Sequence, residues 1–463
     1  MTRVRSLVVF AALVALSIPV RTAAQGQSTP IQLRGVPSGP PTAVPLNLTL
    51  ADAIHRGLEQ NLSIIIQEQQ LKGTESARLD ALSQLLPHVA GSVRRSDQTL
   101  STAAFGFTLP GLPTIIGPFG LFDARVGVST PLFDARAIGG LRAGNALVRA
   151  GQADVRDVRE TIVLAVGTLY LQVQADAARV QSAQAQVATA EALVRLADDQ
   201  RAAGIVAGVD VVRQQVQLQS ARARLIVAGN AFEKRKLSLA RAIGLPAAQV
   251  FTVADTTTFV EAPPMTMEEA VTEAEAHRED LKAAAARVEA ARFGKRAEAA
   301  GYLPSLHLDA DVGAIGHHTS DLEKTYTVAA TVHVPIFEGG ERRARVQRAD
   351  VELREREAEL ADLRGGIRFD VSTALLDLKA ADAGVQVSDS ARSLSRQELD
   401  QAQDRFRAGV ASTLELVQAQ ESVATASEQY IASVYAHAVA KGTLARAIGE
   451  VEQTFVSLVG GKQ

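Results

Sequence analysis

Four stretches of the chain alternate apolar and polar residues, and long intervening regions repeat apolar residues every three to four positions. Leu306, Leu308, Ala310 and Val312 alternate with His307, Asp309 and Asp311, and Tyr326, Val328, Ala330, Val332 and Val334 alternate with Thr327, Ala329, Thr331 and His333. Ala124, Val126 and Val128 alternate with Asp123, Arg125, Gly127 and Ser129, and a weaker match runs from His88 to Ser101. A period of two predicts strands with one apolar and one polar face. Each is about 10 residues long, the length of a tilted strand crossing a bilayer, although a soluble hairpin with one wet face carries the same pattern. Four strands are too few to close a barrel, so the membrane reading requires oligomerisation.

The helical pattern is longer. Val155, Val158, Ile162, Val166, Leu169, Val173, Ala177 and Val180 recur at close to 3.6 residues, a stripe that stays on one side of a nearly straight helix. Helices are predicted over 50–85, 137–201 and 210–243, and again over 267–301, 339–407 and 413–448. Leu86-Pro87 and Leu303-Pro304 stop the first helix of each set, and a Gly-rich turn at 204–208 separates the next two. The longest spans roughly 100 Å at 1.5 Å per residue, more than a compact domain can bury, so these helices pack side by side in a rod or tube. Helices 50–85 and 210–243 together match the long one in length, which predicts two shorter helices stacked end to end beside it.

The pattern is stated twice. Thr49-Leu50-Ala51-Asp52-Ala53-Ile54 and Leu86-Pro87 recur, at one constant offset, as Thr266-Met267-Glu268-Glu269-Ala270-Val271 and Leu303-Pro304. At a shorter offset, Pro131-Leu132-Phe133 returns as Pro335-Ile336-Phe337, and Leu239-Ala240-Arg241-Ala242-Ile243-Gly244 returns letter for letter at 444–449. A unit this large is a duplicated half-protein, with repeats at 49–255 and 256–463. The drop in offset places one insertion in the first copy. It falls at Phe105–Leu121, where Pro110, Pro113 and Pro118 predict an irregular surface loop. The corresponding loop, Gly313–Lys324, is shorter and more polar.

Arg3 and Arg5 precede an apolar run from Leu7 to Ile18 and the small residues Thr22-Ala23-Ala24, so residues 1–24 are expected to be a secretory signal peptide. Its removal deletes Arg3, Arg5 and Arg21 and no acid, taking the formal net charge from −3 to −6, and no basic patch for nucleic acid remains. Residues 25–48, with Pro30, Pro37, Pro40, Pro41 and Pro45, read as an extended leader. The chain contains no cysteine, which excludes disulfides, thiolate metal sites and a lipid-modified N-terminal cysteine. After cleavage no window is expected to form a transmembrane helix. His317-His318 with His307 and His333 lack metal-ligand spacing, and no nucleophile, phosphate loop or paired carboxylate stands out. No enzymatic activity, cofactor or metal is expected.

Signal peptide, duplication, paired strands and giant helical hairpins together resemble the TolC-like outer-membrane efflux family. The motifs are Leu86-Pro87 and Leu303-Pro304 before a strand, Pro131-Leu132-Phe133 and Pro335-Ile336-Phe337 after one, and the Arg201…Gly204 and Arg405…Gly409 turns leading to Asp210 and Glu415. The resemblance implies a mainly α fold with a membrane β-barrel: a homotrimer whose twelve-stranded barrel continues into a long α-helical barrel. It implies an outer-membrane location reaching into the periplasm, contact with outer-membrane lipid, and a passive exit duct of a tripartite efflux or type I secretion system. Its partners would be a periplasmic membrane-fusion adaptor and an inner-membrane pump of the RND or ABC type. Gly204, Ile205, Val206, Gly409, Val410 and Ala411 form hairpin tips whose apolar groups are expected to be exposed, as docking surfaces are, and these resemble the family's adaptor sites. Glu415, Gln418, Asp210 and Arg213 fall at its periplasmic gate. Gln418 is not acidic, and Ala411 and Phe406 replace an arginine and a tyrosine of the best-known member, so Arg405, Arg407 or Arg213 would have to complete the lock. A soluble periplasmic coiled-coil adaptor or scaffold is the alternative, distinguished by fractionating as a monomer in the periplasm.

Overall fold

The computed structural model describes residues 33–458 apart from 43, 102–103, 105–113, 247, 255–258 and 262–263. The signal segment, much of the leader and the centre of the inserted loop lie outside these residues. The order is β1 (Leu46–Leu48), α1 (Leu50–Gln60), α2 (Leu62–Ser83), β2 (His88–Ser101), β3 (Ile115–Phe133), α3 (Ala135–Ala202) and α4 (Gly208–Ala242), then β4 (Phe251–Val253), α5 (Met267–His277), α6 (Glu279–Ala300), β5 (Ser305–Gly316), β6 (Glu323–His333), α7 (Glu341–Arg407), α8 (Thr413–Ile448) and α9 (Val451–Leu458). The long helices α3 and α7 have 68 and 67 residues.

Matching capping boxes start the two halves. The Thr49 hydroxyl accepts from the Asp52 amide while the Asp52 carboxylate accepts from the Thr49 amide, and Thr266 and Glu269 do the same. The single helices expected at 50–85 and 267–301 are each two helices, broken at Asn61 and Arg278, which are equivalent positions of the two repeats. Both residues adopt extended backbone. Asn61 Oδ1 accepts from the Ser63 amide and recaps α2, and the Leu62 amide donates to Arg34 O. The leader therefore docks in part: β1 pairs in parallel with β4, and Leu48 and Phe251 enter the main core. That ribbon, the helix breaks and α9 all escaped the sequence pattern.

Near the sheet, α2 and α6 pack on α3, and α6 reaches α7; toward the other end α4 and α8 take those places. Short helices thus flank long ones in series, and among the described residues α4 and α7 are the free edges of the layer α4-α3-α8-α7. Ile162, Val166 and Val173 of the α3 stripe are fully buried, with Val158 and Leu169 packed beside them. Contrary to the expectation that no segment approaches a transmembrane helix, α3 carries an eighteen-residue stretch long and apolar enough; half of it is buried, as befits a core helix.

An ionic cluster ties α3 to α8 beside this core. Arg446 donates to Asp157, to Glu160 at 3.2 Å and to Thr161 at 3.4 Å. Burial raises the Glu160 carboxyl to about 7 despite Arg446, with Asp157 pushing the same way. A folded value above the unfolded one favours the protonated form, so this contribution is complete below the unfolded value near 4.5 and is lost as pH rises through 7. The loss is on the order of 3 kcal/mol per chain. Glu160→Gln, which keeps an acceptor for Arg446, should raise the apparent melting temperature at pH 8 and not at pH 5; an equal shift at both would refute the assignment.

Candidate functional site

The four longer strands form one antiparallel sheet in the order β2-β3-β5-β6, so β3–β5 pairing joins the halves. The register brings Val89, Val128, Ala310 and Val328 into one row across all four strands, and places Val126 beside Val312 and Val312 beside Tyr326. One face is thus apolar over its whole width, and Val89, Val126, Val312, Tyr326, Val328 and Val332 all stand exposed on it. The opposite face is polar: Arg125 pairs with Asp123 at 2.9 Å and Asp311 at 2.8 Å, and Ser129 donates to Asp309 at 2.6 Å. Among the described residues, both outer strands, β2 and β6, keep a free edge.

The strands run further than their alternation indicates. β3 begins at Ile115, so the expected loop Phe105–Leu121 is wrong for 115–121, where register continues through Phe119↔Gln98 and Gly120↔Asp97; residues 105–113 lie outside the described part. Gly313–Gly316 and Glu323–Lys324, read as loop, belong likewise to β5 and β6. His307 and His333 lie toward one end of the β5–β6 pair while His317 follows the other end of β5, so the histidines do not all converge.

At the far end, α3 and α7 each stop at a glycine with φ +73°, Gly204 and Gly409. The left-handed conformation lets Ile205 N donate to Gln200 O and Val410 N to Arg405 O, closing both helices alike. The tips touch, since a side chain at Gly409 would lie 3.8 Å from Ile205, and buried Gln200 donates to Phe406 O at 3.0 Å. Phe406 and Leu416 are fully buried with Leu193, Ala402 and Ala419.

Val206 and Ala411 pack against this cluster. The expectation that all the tip's apolar groups lie unburied is therefore corrected for these two; Ile205 and Val410 stay exposed, joined by Val209, Val212 and Leu414.

The gate candidates do not stand alone either. Glu415 sits in the first turn of α8, where its amide donates to Ser412, and its carboxylate pairs with Arg405 at 3.2 Å. Asp210 pairs with Arg213 at 3.0 Å, Arg407 with Asp404 at 3.1 Å, and Gln418 is exposed. Arg405 thus supplies the cation for Glu415; in sequence only its place before the turn hinted at this.

Behind the tips lies a glutamine layer from α3, α4 and α8. Gln200, Gln214 and Gln420 are buried, and both side-chain polar atoms of Gln214 lack a partner among the described residues. Next to it Glu421 accepts from Gln217 and from Arg224 at 3.0 Å; burial opposes its charge, but these donors hold its carboxyl below the usual range. A groove of about 560 Å³ between the hairpins begins here, lined by Gln181, Gln217, Arg224, Arg392, Gln420 and Tyr430 among others. Arg392 stacks on Tyr430 at 3.6 Å.

The outer membrane efflux protein family model matches residues 53–245 and 270–450, once in each half. The chain is similar to the pyoverdine export outer membrane protein OpmQ of Pseudomonas putida, 26% identical over 342 residues that cover 71% of this chain and 70% of that protein. Among solved structures it resembles the outer-membrane channel OprN, with TM-score 0.75, 18% identity and coverage of 87% and 90% of the two chains. It also resembles the outer membrane protein VceC of Vibrio cholerae, with TM-score 0.75, 18% identity and coverage of 86% and 96%.

Proposed function

The chain belongs to the outer membrane efflux protein family, and on that premise we propose that it is the passive outer-membrane exit duct of a tripartite export system, working as a homotrimer. The family is one of transport ducts rather than enzymes, so no catalytic group is assigned. The observation that carries the reading is the sheet: an apolar face four strands wide, backed by a polar face, with the outer edges of β2 and β6 unpaired among the described residues. Unpaired strand edges cannot remain in lipid. Head-to-tail pairing of β6 with a neighbour's β2 removes both and, repeated around a threefold axis, closes twelve strands with Arg125, Asp309 and Asp311 toward water and the valines toward lipid.

The repeats at 49–255 and 256–463 each give one strand pair and one helical hairpin to this wall. The helices carry the duct about 100 Å into the periplasm. There Gly204, Ile205, Val206, Gly409, Val410 and Ala411 shape the end that receives the adaptor. Ile205 and Val410 make the contact, while Val206 and Ala411 support it from beneath. The inner-membrane pump, RND or ABC type, couples through that adaptor.

Glu415, Gln418, Asp210 and Arg213 line the periplasmic mouth. Three Glu415 carboxylates around one axis favour cations, tempered by Arg405 within each chain. The protein should fractionate with the outer membrane, stop at a trimer on chemical crosslinking, and conduct with cation preference in planar bilayers. Glu415→Gln should lower that preference and Arg405→Ala raise it. A monomer in the periplasmic extract would support a soluble scaffold instead; a conducting trimer indifferent to both substitutions would remove the gate from this position.

A further inference from the structure

Away from tips and sheet, three ligand-type side chains meet where the second half begins and α8 hands over to α9. Glu273 and His277 lie one turn apart on α5, and Glu450 sits in the link between α8 and α9. His277 Nδ1 is 3.0 Å from Glu273 and 3.5 Å from Glu450, and the three ligand atoms all lie within 4.8 Å of one another. Ligand atoms at about 2.1 Å from a tetrahedral zinc ion stand about 3.4 Å apart, so the set needs only small side-chain movement to surround one.

The backbones that carry these groups are held against each other. Gly449 adopts φ +83°, and a side chain there would come within 2.8 Å of Arg278 N. Glu450 N donates to Ala445 O at 2.9 Å and Arg278 N to Ala274 O at 3.0 Å. The Gly449 backbone therefore lies directly on the His277–Arg278 backbone, with each segment braced by its own hydrogen bond. Glu273 and Glu450 are half-buried and His277 is exposed, so water could complete the coordination. Elsewhere, His55 and Glu59 repeat the one-turn spacing on α1 at 3.6 Å, but among the described residues no second carboxylate joins them.

We propose that Glu273, His277 and Glu450 bind one divalent ion of the zinc class per chain, pinning the α8–α9 link to α5. One imidazole nitrogen with two carboxylate oxygens suits Zn²⁺ and Co²⁺ better than the hard ions that prefer oxygen alone. The assignment is independent of the transport reading, because the site lies neither on the apolar sheet face nor at the tips.

The test uses untagged, detergent-solubilised full-length protein stripped with EDTA and titrated with ZnCl₂, then with CoCl₂. One zinc per chain is expected, with an apparent melting temperature that rises with zinc concentration. A visible Co²⁺ absorption band typical of low coordination number should appear, and zinc should displace it. His277→Gln and Glu450→Gln should each weaken zinc binding at least tenfold and abolish the cobalt band, while remaining oligomeric in EDTA as the parent does. His55→Gln should bind as the parent. No bound zinc, or affinity unchanged in His277→Gln, or equal loss in His55→Gln, would overturn the site and leave an ion pair between a histidine and two carboxylates.

Discussion

A carboxylate placed at Ile226 or at Val387 should turn the proposed trimer into monomers. Each residue stands at a free edge of the helical layer, Ile226 on α4 and Val387 on α7, and they are 72% and 70% exposed within one chain. Val216, Val227 and Leu237 extend the first edge, and Phe369, Leu376 and Leu394 the second. Height relates them. Ile226 lies about five turns into α4, which starts at Gly208, and Val387 lies between five and six turns before α7 ends at Arg407. Both are thus about 30 Å above the tips, and Leu237 and Leu376 match in the same way higher up. In the proposed head-to-tail ring α4 of one chain would meet α7 of the next, which would set Ile226 at the height of Val387 at each of three interfaces. An unpaired carboxylate buried there costs several kcal/mol at every interface, and each step of about 1.4 kcal/mol is a factor of ten in association.

Ile226→Glu and Val387→Glu should therefore each run as monomers after crosslinking in detergent, with the alanine variants largely trimeric. Ile226→Lys combined with Val387→Glu should recover trimer that neither charge allows alone, because the two groups meet across the interface. Trimers in both single glutamate variants would refute α4–α7 closure, and failure of the pair to improve on the singles would show that the heights are matched wrongly.

Much of this architecture was legible because it repeats. Period-two stretches located all four sheet strands, and proline and glycine located the ends of the first and longest helices. What escaped was short or held by distant contacts. Asn61 and Arg278 interrupt helices without glycine or proline, and the break at Asn61 depends on a leader segment docking from outside the helix. β1 and β4 have three residues each, too few to show a period.

At the tips, composition suggested apolar groups with nothing to bury them. Val206 and Ala411 are covered because Phe406 turns inward beneath both hairpins, a contact between segments that belong to different repeats. The pairing of Arg405 with Glu415 likewise crosses a turn whose geometry only Gly409 sets. The early end assigned to the strands has another cause: Gly117, Pro118 and Gly120 read as loop residues, yet they lie within β3, whose ladder to β2 spans them.

Phe455 to alanine should be the most destabilising single change in the helical region. Phe455 is fully buried, and its ring lies against two helix glycines, Gly167 of α3 and Gly442 of α8. A methyl group added at either glycine would overlap the ring. The glycines therefore form the slot that α9 fills. Emptying it should cost about 3–5 kcal/mol per chain, seen as a lower apparent melting temperature of the solubilised protein and faster proteolysis of α9.

Gly442→Ala separates slot-filling from general hydrophobicity. In an exposed helix this change gains about 1 kcal/mol, but against Phe455 the overpacking cost of about 1–3 kcal/mol should prevail and lower the melting temperature. In the Phe455→Ala background the methyl enters vacated space, so the same substitution should raise it. A reversal of sign between the two backgrounds is expected only if ring and glycine compete for one volume. Gly442→Ala acting alike in both would mean that α9 is held by its flanks, Val451 and the Arg159–Glu452 pair at 2.5 Å, rather than by the ring.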